Sequence, residues 1–188
     1  MEFYPPDAVV PAEKRTHRLL LRPLRASDAE RDHDAVMSSA EMLRRWSQSP
    51  WPADDFTLSQ NRDDLVRHER EHEERQAFTY TVLDPPGTRC LGCVYLTPLP
   101  PQARPLAEGA AHAVNIGFWV RASELSSDLD AHLLATLREW LRSEWSFDGI
   151  VFTIAEAETR QAALLTVAGL QSRSTITLPD GRVCSAFL

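Results

Sequence analysis

The chain has 188 residues, of which 43% are hydrophobic and 25% charged, and its net charge is −7. These values are typical of a globular domain large enough to fold without disulfides or a structural metal, and the acidic excess argues against nucleic-acid partners. Because no stretch approaches about 18 apolar residues and the first residues are not basic, the sequence predicts a cytoplasmic protein that does not bind membranes.

Hydrophobic periodicity and turn residues predict an alternation of strands and helices. Residues 1–15 contain three prolines and little periodicity, so we expect an extended N-terminal arm. Ser27 and Glu30 have the spacing of a capping box and predict that the first helix begins there. The predicted strands cover residues 17–24, 78–84, 90–99, 113–120 and 149–154 and a final hairpin, and the predicted helices cover residues 27–39, 40–47, 56–76, 127–145 and 158–168. This order favours an α/β fold, in the broad α+β sense, with a mixed sheet and helices on both faces.

A possible zinc motif lies on the third predicted helix, where His68, Glu69 and His72 match HExxH. The residues between and after them are charged, from Arg70 to Arg75, whereas a catalytic zinc helix is usually buried. We therefore interpret this segment as a charged surface helix and predict no metal.

The cysteines also predict no special chemistry. Their number, three, is odd, which favours a reducing compartment. Cys90 and Cys93 lie three residues apart in a predicted strand, so we expect their side chains to point to opposite faces of the sheet.

Several sequence segments resemble those of the GNAT superfamily of acyl-CoA-dependent N-acyltransferases. THRLLLRPLRASDAE (residues 16–30) resembles that family's opening strand and helix, and FTYTVLDPPGTRCLGCVYL (78–96) resembles its central hairpin. VNIGFWVRASE (114–124), with the leucine-striped helix after it, resembles the cofactor-binding strand and helix. GIVFTI (149–154), with a helix that ends at Gly169, resembles the closing unit.

The resemblance implies one GNAT-like domain over residues 16–188 with a mostly antiparallel sheet. The strands at about 114–120 and 149–154 would splay apart, and the pantetheine arm of acetyl-CoA, a co-substrate, would lie between them. The pyrophosphate would lie at the start of the following helix. The cofactor-binding residues that this implies are Phe118, Trp119, Val120, Arg121, Ser126, Ser127, Asp128 and Leu129.

Two departures from the family pattern concern phosphate binding and proton transfer. Residues 123–131 contain none of the glycines of the family's phosphate loop, and Asp128 and Asp130 would each oppose a phosphate by about 1 kcal/mol. The family's usual tyrosine acid corresponds to Leu165. His112 and Asn115 remain as weak candidates for catalytic groups.

The acceptor in this family lies near the first two helices, where this chain has Trp46 and Trp51. They either wall a pocket for a small-molecule or peptide amine or cover the core, and we expect Trp46 to pack and Trp51 to line the pocket. The resemblance implies an N-acyltransferase that moves an acetyl group from acetyl-CoA to an amine by direct attack, as a monomer or homodimer. The alternative is a catalytically inactive protein of the same fold that binds a ligand or a partner.

Overall fold

The computed structural model describes residues 2–188 and is built on one eight-stranded sheet. The strands are β1 (Lys14–Arg15), β2 (Leu20–Pro23), β3 (Phe78–Leu83), β4 (Cys90–Pro98), β5 (Ala113–Val120), β6 (Gly149–Ala155), β7 (Ser172–Thr177) and β8 (Val183–Phe187). The helices are α1 (Ala29–Met37), α2 (Ala40–Ser47), α3 (Leu58–Glu73), α4 (Leu129–Glu144) and α5 (Thr159–Val167). None of the helices in the described range is long and apolar enough to cross a membrane.

The strand order is β1-β2-β3-β4-β5-β6-β8-β7, and every neighbouring pair is antiparallel except β5 with β6. One hydrophobic core lies between the sheet and helices α4 and α5, with Trp140 fully buried in it. A second core lies on the opposite face beneath α1, α2 and α3 and contains Leu43. The predicted mixed, mostly antiparallel sheet with helices on both faces is confirmed.

The two parallel strands separate halfway along β5. They pair from Ala113 opposite Gly149 to Ile116 opposite Phe152 and no further. Beyond that point β5 continues to pair with β4 as far as Val120, and β6 continues to pair with β8 as far as Ala155. The predicted splay is therefore present, and it leaves one edge of residues 117 to 120 without a neighbouring strand.

The first helix begins differently from the prediction. A 3₁₀ turn over Ala26–Asp28 precedes α1, and no side-chain hydrogen bond caps the helix. The buried carboxylate of Asp28 accepts the backbone N–H of Arg25 at 3.0 Å and N–H groups of Arg22 at 2.6 and 2.7 Å. The predicted capping box of Ser27 and Glu30 is wrong, because Asp28 supplies the local acceptor.

The prediction that Cys90 and Cys93 face opposite sides of the sheet is also wrong. The register of β3 with β4 shifts between Val82 and Leu83, so a bulge places both thiols in the core beneath α1 to α3. Burial raises the pKa of Cys90 to about 12 and also raises the pKa of Cys93, which keeps both thiols protonated. Both cysteines, and Cys184, are free.

Residues 2–13 form neither a helix nor a strand, but they pack on the core. The ring of Tyr4 is 1% exposed and lies edge-on to Phe78, with ring centroids 5.4 Å apart. Arg75, just after α3, donates hydrogen bonds to three carbonyl oxygens of this segment. Strand β1 falls within the range predicted as an arm.

The two histidines of the HExxH pattern face the sheet rather than solvent. His68 Nδ1 lies 3.2 Å from Thr79 Oγ1, and the ring of His72 packs on Phe78 with centroids 5.1 Å apart. Burial lowers the pKa of both histidines, so they are neutral at pH 7. Among residues 2–188, no three His, Cys, Asp or Glu side chains are grouped so that they could hold a metal ion.

Candidate functional site

A pocket of about 330 Å³ opens on the α2 side of the sheet, and we call it the polar pocket. Its volume is within the range of small-molecule sites. It is lined by the end of α2, four strands and the β7–β8 turn: Trp46, Ser47, Gln48, Tyr95, Thr97, Pro98, Pro100, Asn115, Gly117, Thr153, Ile154, Ala155, Leu178, Arg182 and Cys184.

Three polar side chains form a bridge across the floor of the polar pocket. Asn115 Nδ2 donates to Thr97 Oγ1 at 3.2 Å, and Thr153 Oγ1 donates to Asn115 Oδ1 at 2.6 Å. Thr97 is the cross-strand partner of Asn115, and Thr153 lies on β6, so the bridge joins three strands just before β5 and β6 part. The structure thus brings Asn115 to the pocket in a fixed orientation, as a polar group that does not titrate.

The roof of the polar pocket is Trp46. A Cβ added at Gly117 would lie 3.6 Å from its ring, and the ring centroid of Tyr95 is 5.8 Å away. The end of α2 is tied to β8, because Gln48 Nε2 donates to the carbonyl oxygen of Val183 at 2.8 Å. The aromatic roof is therefore fixed relative to the sheet.

A second, smaller cavity of about 30 Å³ lies at the open edge of β5, and we call it the gap cavity. Trp46 lines both this cavity and the polar pocket, so the two adjoin at its side chain. The gap cavity is lined by Met42, Trp46, Trp119, Val120, Leu125, Asp130, Glu158, Arg160 and Gln161.

Gln161 of α5 closes part of the open strand edge. Its Nε2 donates to the carbonyl oxygen of Phe118 at 2.6 Å, while its Oε1 is buried without a hydrogen-bond partner among the described residues. In a strand, the N–H and C=O groups of one residue point to the same edge, and residues i and i+2 point to the same edge as each other. The backbone N–H groups of Phe118 and Val120 therefore both face the gap. The gap thus contains an unsatisfied acceptor and free backbone donors, which a ligand with both kinds of group would satisfy.

Glu158 is a titratable residue of the gap cavity that follows the polar pocket's Ala155 by three residues. It lines the gap cavity, and its amide donates to the carbonyl oxygen of Ala155, a lining residue of the polar pocket, at 2.9 Å. Burial raises the pKa of its carboxyl group. Within residues 2–188 its carboxylate receives no side-chain hydrogen bond, and the charge of Arg45 lowers its pKa by less than burial raises it, so it is suited to accept a proton.

The acidic residues at the start of α4 are paired with a cation from α5. Arg160 donates to Asp130 Oδ2 and Oδ1 at 2.6 and 3.0 Å, and its Nη2 lies 3.4 Å from Asp128 Oδ1. The side chain of Asp130 is 4% exposed, whereas that of Asp128 is 79% exposed. The negative charge of Asp130 is therefore balanced by the guanidinium group of Arg160.

The loop before α4 contains no glycine, but one of its residues has a backbone conformation that usually favours glycine. Asp128 has a φ of 53°, in the left-handed region that favours glycine. The neighbouring Ser127 accepts hydrogen bonds from Arg18 at its carbonyl oxygen, 2.7 Å, and at its hydroxyl, 3.3 Å. Arginines from two sides, Arg18 and Arg160, therefore flank residues 126 to 129, and Leu129 is buried.

Other predicted site residues lie away from both cavities. His112 precedes β5, where its amide donates to Asp148 Oδ1 at 2.8 Å. Trp51 packs on Phe56, with centroids 6.2 Å apart, and lines neither cavity. Arg121 turns toward α1 and donates to Asp34 Oδ2 at 2.6 Å, and Leu165 is fully buried in the core.

Sequence reasoning missed Glu158, Arg160 and Gln161. All three begin the helix that follows β6, at the carboxyl end of a parallel strand, where open α/β sheets commonly bind ligands. That position is the signal that could have identified them. Nothing in the sequence pairs Arg160 with Asp130, because the two are thirty residues apart.

Comparisons with known proteins agree on one fold. The family model described as an acetyltransferase (GNAT) domain matches residues 18–171. A ribosomal-protein-S5-alanine acetyltransferase from Vibrio fischeri superposes with a TM-score of 0.72 at 14% identity, covering 94% of this chain and 95% of that one. Mycobacterium smegmatis RimJ, solved with CoA-disulfide, has a TM-score of 0.71 at 17% identity, covering 90% and 80%. The microcin C7 self-immunity acetyltransferase MccE, solved with acetyl-CoA and AMP, has a TM-score of 0.72 at 12% identity, covering 98% and 97%. A search of curated proteins found no significant match.

The pairing of Arg160 with Asp130 predicts unequal effects of removing either partner. Arg160→Ala leaves a buried carboxylate without its cation, and we expect it to lower the free energy of unfolding by about 3 kcal/mol. Asp130→Ala leaves an arginine whose side chain is 45% exposed and can hydrate, so we expect a loss of about 1 kcal/mol.

Urea denaturation at pH 7 measures both losses, and the double variant supplies the coupling between them. The double variant should be more stable than Arg160→Ala alone. Equal losses for the two single variants, with no coupling, would show that the pair does not form.

Proposed function

The chain belongs to the GNAT family of acetyltransferases, and from this premise we propose that it transfers an acetyl group from acetyl-CoA to an amine by direct attack. The amine nitrogen attacks the thioester carbonyl carbon, an N–C bond forms, and the C–S bond breaks. The nitrogen loses one proton and the sulfur leaves as the thiol of CoA after taking up one. Acetyl-CoA supplies the activated acetyl group.

The observation that carries this proposal is the separation of β5 and β6 after Ile116. It exposes backbone donors and acceptors along residues 117 to 120, between a polar pocket and the start of α4. The pantetheine arm carries two amide groups, whose N–H and C=O groups can pair with the exposed backbone groups of such a strand edge. The unpartnered Oε1 of Gln161, whose side chain lines the gap cavity, supports the same assignment.

The phosphates would be held by residues 126 to 129 together with Arg160. A helix start offers free N–H groups and a positive dipole end. Arg160 would supply a positive charge to a loop that lacks the family's glycines. Its Nη2 would leave Asp128 and bind the phosphates, while its Nε would keep the hydrogen bond to Asp130. Arg18, on Ser127, lies close enough to contribute to the same field.

The acceptor amine would occupy the polar pocket, under Trp46. Its proton would pass to Glu158, whose carboxylate lines the adjoining gap cavity. Asn115 and Thr153 would orient the acceptor through their fixed bridge. The proteins solved with this fold include acetyltransferases described as acting on ribosomal proteins, so peptide amines and small-molecule amines are both within the proposal.

A second candidate function rests on the size of the gap cavity. About 30 Å³ admits little more than one water-sized group, so Arg160 and Gln161 would have to move before a pantetheine arm could enter. If they do not move, the chain is a catalytically inactive member of the family that binds a ligand in the polar pocket. For either function we propose a cytoplasmic location, in keeping with the three free thiols, and a monomer or homodimer.

Acetyl-CoA binding and turnover separate these functions. We expect calorimetry to detect binding of acetyl-CoA, and a thiol reagent to detect release of CoA when primary amines are added. Binding at a hundred times Kd should also raise the free energy of unfolding by about 2.7 kcal/mol. Binding without turnover on any amine would favour the inactive alternative, and no binding at millimolar acetyl-CoA would exclude the transferase.

The role of Glu158 predicts a specific pH dependence. When Glu158 is ionised it can take the proton of a bound ammonium ion. The value of kcat/KM should therefore be constant between the raised pKa of Glu158 and the pKa of the amine. At lower pH it should fall, because Glu158 becomes protonated. Glu158→Gln should lower kcat about a hundredfold, and its kcat/KM should rise tenfold per pH unit up to the amine pKa, because only the free amine can react.

The matched control is Glu156→Gln, an exposed carboxylate two residues earlier in the chain. It should keep the wild-type profile, and acetyl-CoA affinity should change little in either variant. A Glu158→Gln profile parallel to that of the wild type would remove Glu158 from the proton path.

A further inference from the structure

The polar pocket has an unusual charge pattern for a site that receives an amine. An amine acceptor is a cation in solution, and carboxylates are its usual partners, yet none of the residues that line the polar pocket is Asp or Glu. The one fully charged lining residue is Arg182. A simple ammonium ion would therefore meet a positive charge in this pocket.

The guanidinium group of Arg182 has hydrogen-bond donors that are not in use. Its Nε donates to Asp180 Oδ2 at 2.8 Å, and its Nη1 donates to the carbonyl oxygen of Ser47 at 3.3 Å. Within the described residues its Nη2 makes no hydrogen bond. Asp180 offsets part of the charge, but the side chains of Arg182 and Asp180 are 41% and 54% exposed, so this pair is weak and solvent-screened.

Arg182 and Glu158 are anchored to the same end of β6. Cys184, two residues after Arg182, pairs with Ala155, and the amide of Glu158 is bonded to the carbonyl oxygen of Ala155. Arg182 of the polar pocket and Glu158 of the gap cavity therefore lie on segments bonded to the same end of β6. A zwitterion, which carries an ammonium group and a carboxylate, offers one opposite charge to each of these residues.

The side of the polar pocket beside Trp46 is apolar and partly flat. Trp46 covers Gly117 and packs against Tyr95, and Ile154 and Leu178 lie beside them. An aromatic side chain would stack on Trp46 and bury its surface there.

We propose that the acceptor is a free aromatic α-amino acid, whose carboxylate binds Arg182, whose amine faces Glu158 and whose ring lies under Trp46. This inference rests on the proposed acetyl transfer and names the acceptor for it. The carboxylate cancels the positive charge that would otherwise repel the amine, and Arg182 contributes charge-assisted hydrogen bonds.

The test compares L-tryptophan with L-tryptophanamide and tryptamine, which keep the ring and the amine but lack the carboxylate. We measure direct binding by calorimetry without acetyl-CoA, and kcat/KM with it. Tryptophan should bind and react at least about tenfold better than either analogue. Arg182→Gln should lower the tryptophan values about tenfold or more and bring its ratio to tryptophanamide close to one.

The control variant is Arg173→Gln, an exposed arginine on β7 of the same hairpin, which should keep the wild-type ratio. Equal or better use of tryptamine and tryptophanamide by the wild type overturns the inference while leaving acetyl transfer intact. Failure of all three compounds to bind also overturns it. Binding of tryptophan through Arg182 without CoA release would support this pocket and contradict only the transfer step.

Discussion

The site depends on one constraint in the sheet, the loss of pairing between β5 and β6 after Ile116. Each strand is still paired on its other side, β5 with β4 and β6 with β8. Backbone N–H and C=O groups buried without partners are costly, and the fold must satisfy them with something other than a strand. The chain uses side chains from α5 for part of this task and leaves the rest of the edge open.

Helix α5 therefore controls the site more than the loop before α4 does. Gln161 satisfies the carbonyl oxygen of Phe118, Arg160 neutralises the buried Asp130, and Glu158 brings a carboxylate to the border of the two cavities. These residues are neighbours on one short helix. The loop before α4 lacks glycine, but Asp128 still adopts the left-handed conformation, and Arg160 of α5 contacts both Asp128 and Asp130.

The sequence predicts the architecture well because the relevant signals are local. The leucine stripe and the apolar run at 149–154 are local patterns that predict α4 and β6, whereas the splay of β5 from β6 is implied by the resemblance to the GNAT family. The site is harder to predict because its contacts are distant in sequence: Asp130 with Arg160, Gln48 with Val183, and Gln161 with Phe118. The errors at Ser27 and Cys90 have other causes: a buried aspartate replaces the predicted capping box, and a bulge interrupts the alternation of the strand. The catalytic role of His112 and the acceptor role of Trp51 stay predictions, and neither residue lines the two cavities.

The most direct test of this account is amide hydrogen exchange along β5, followed by NMR with and without acetyl-CoA. The account predicts that saturating acetyl-CoA slows exchange at Phe118 and Val120, whose amides face the gap, by tenfold or more, which corresponds to about 1.4 kcal/mol of local protection. The amide of Ile116, the last residue of β5 paired with β6, serves as the internal reference and should change much less. Bound acetyl-CoA that leaves the exchange of Phe118 and Val120 unchanged would contradict the central claim that the separated strands form its binding site.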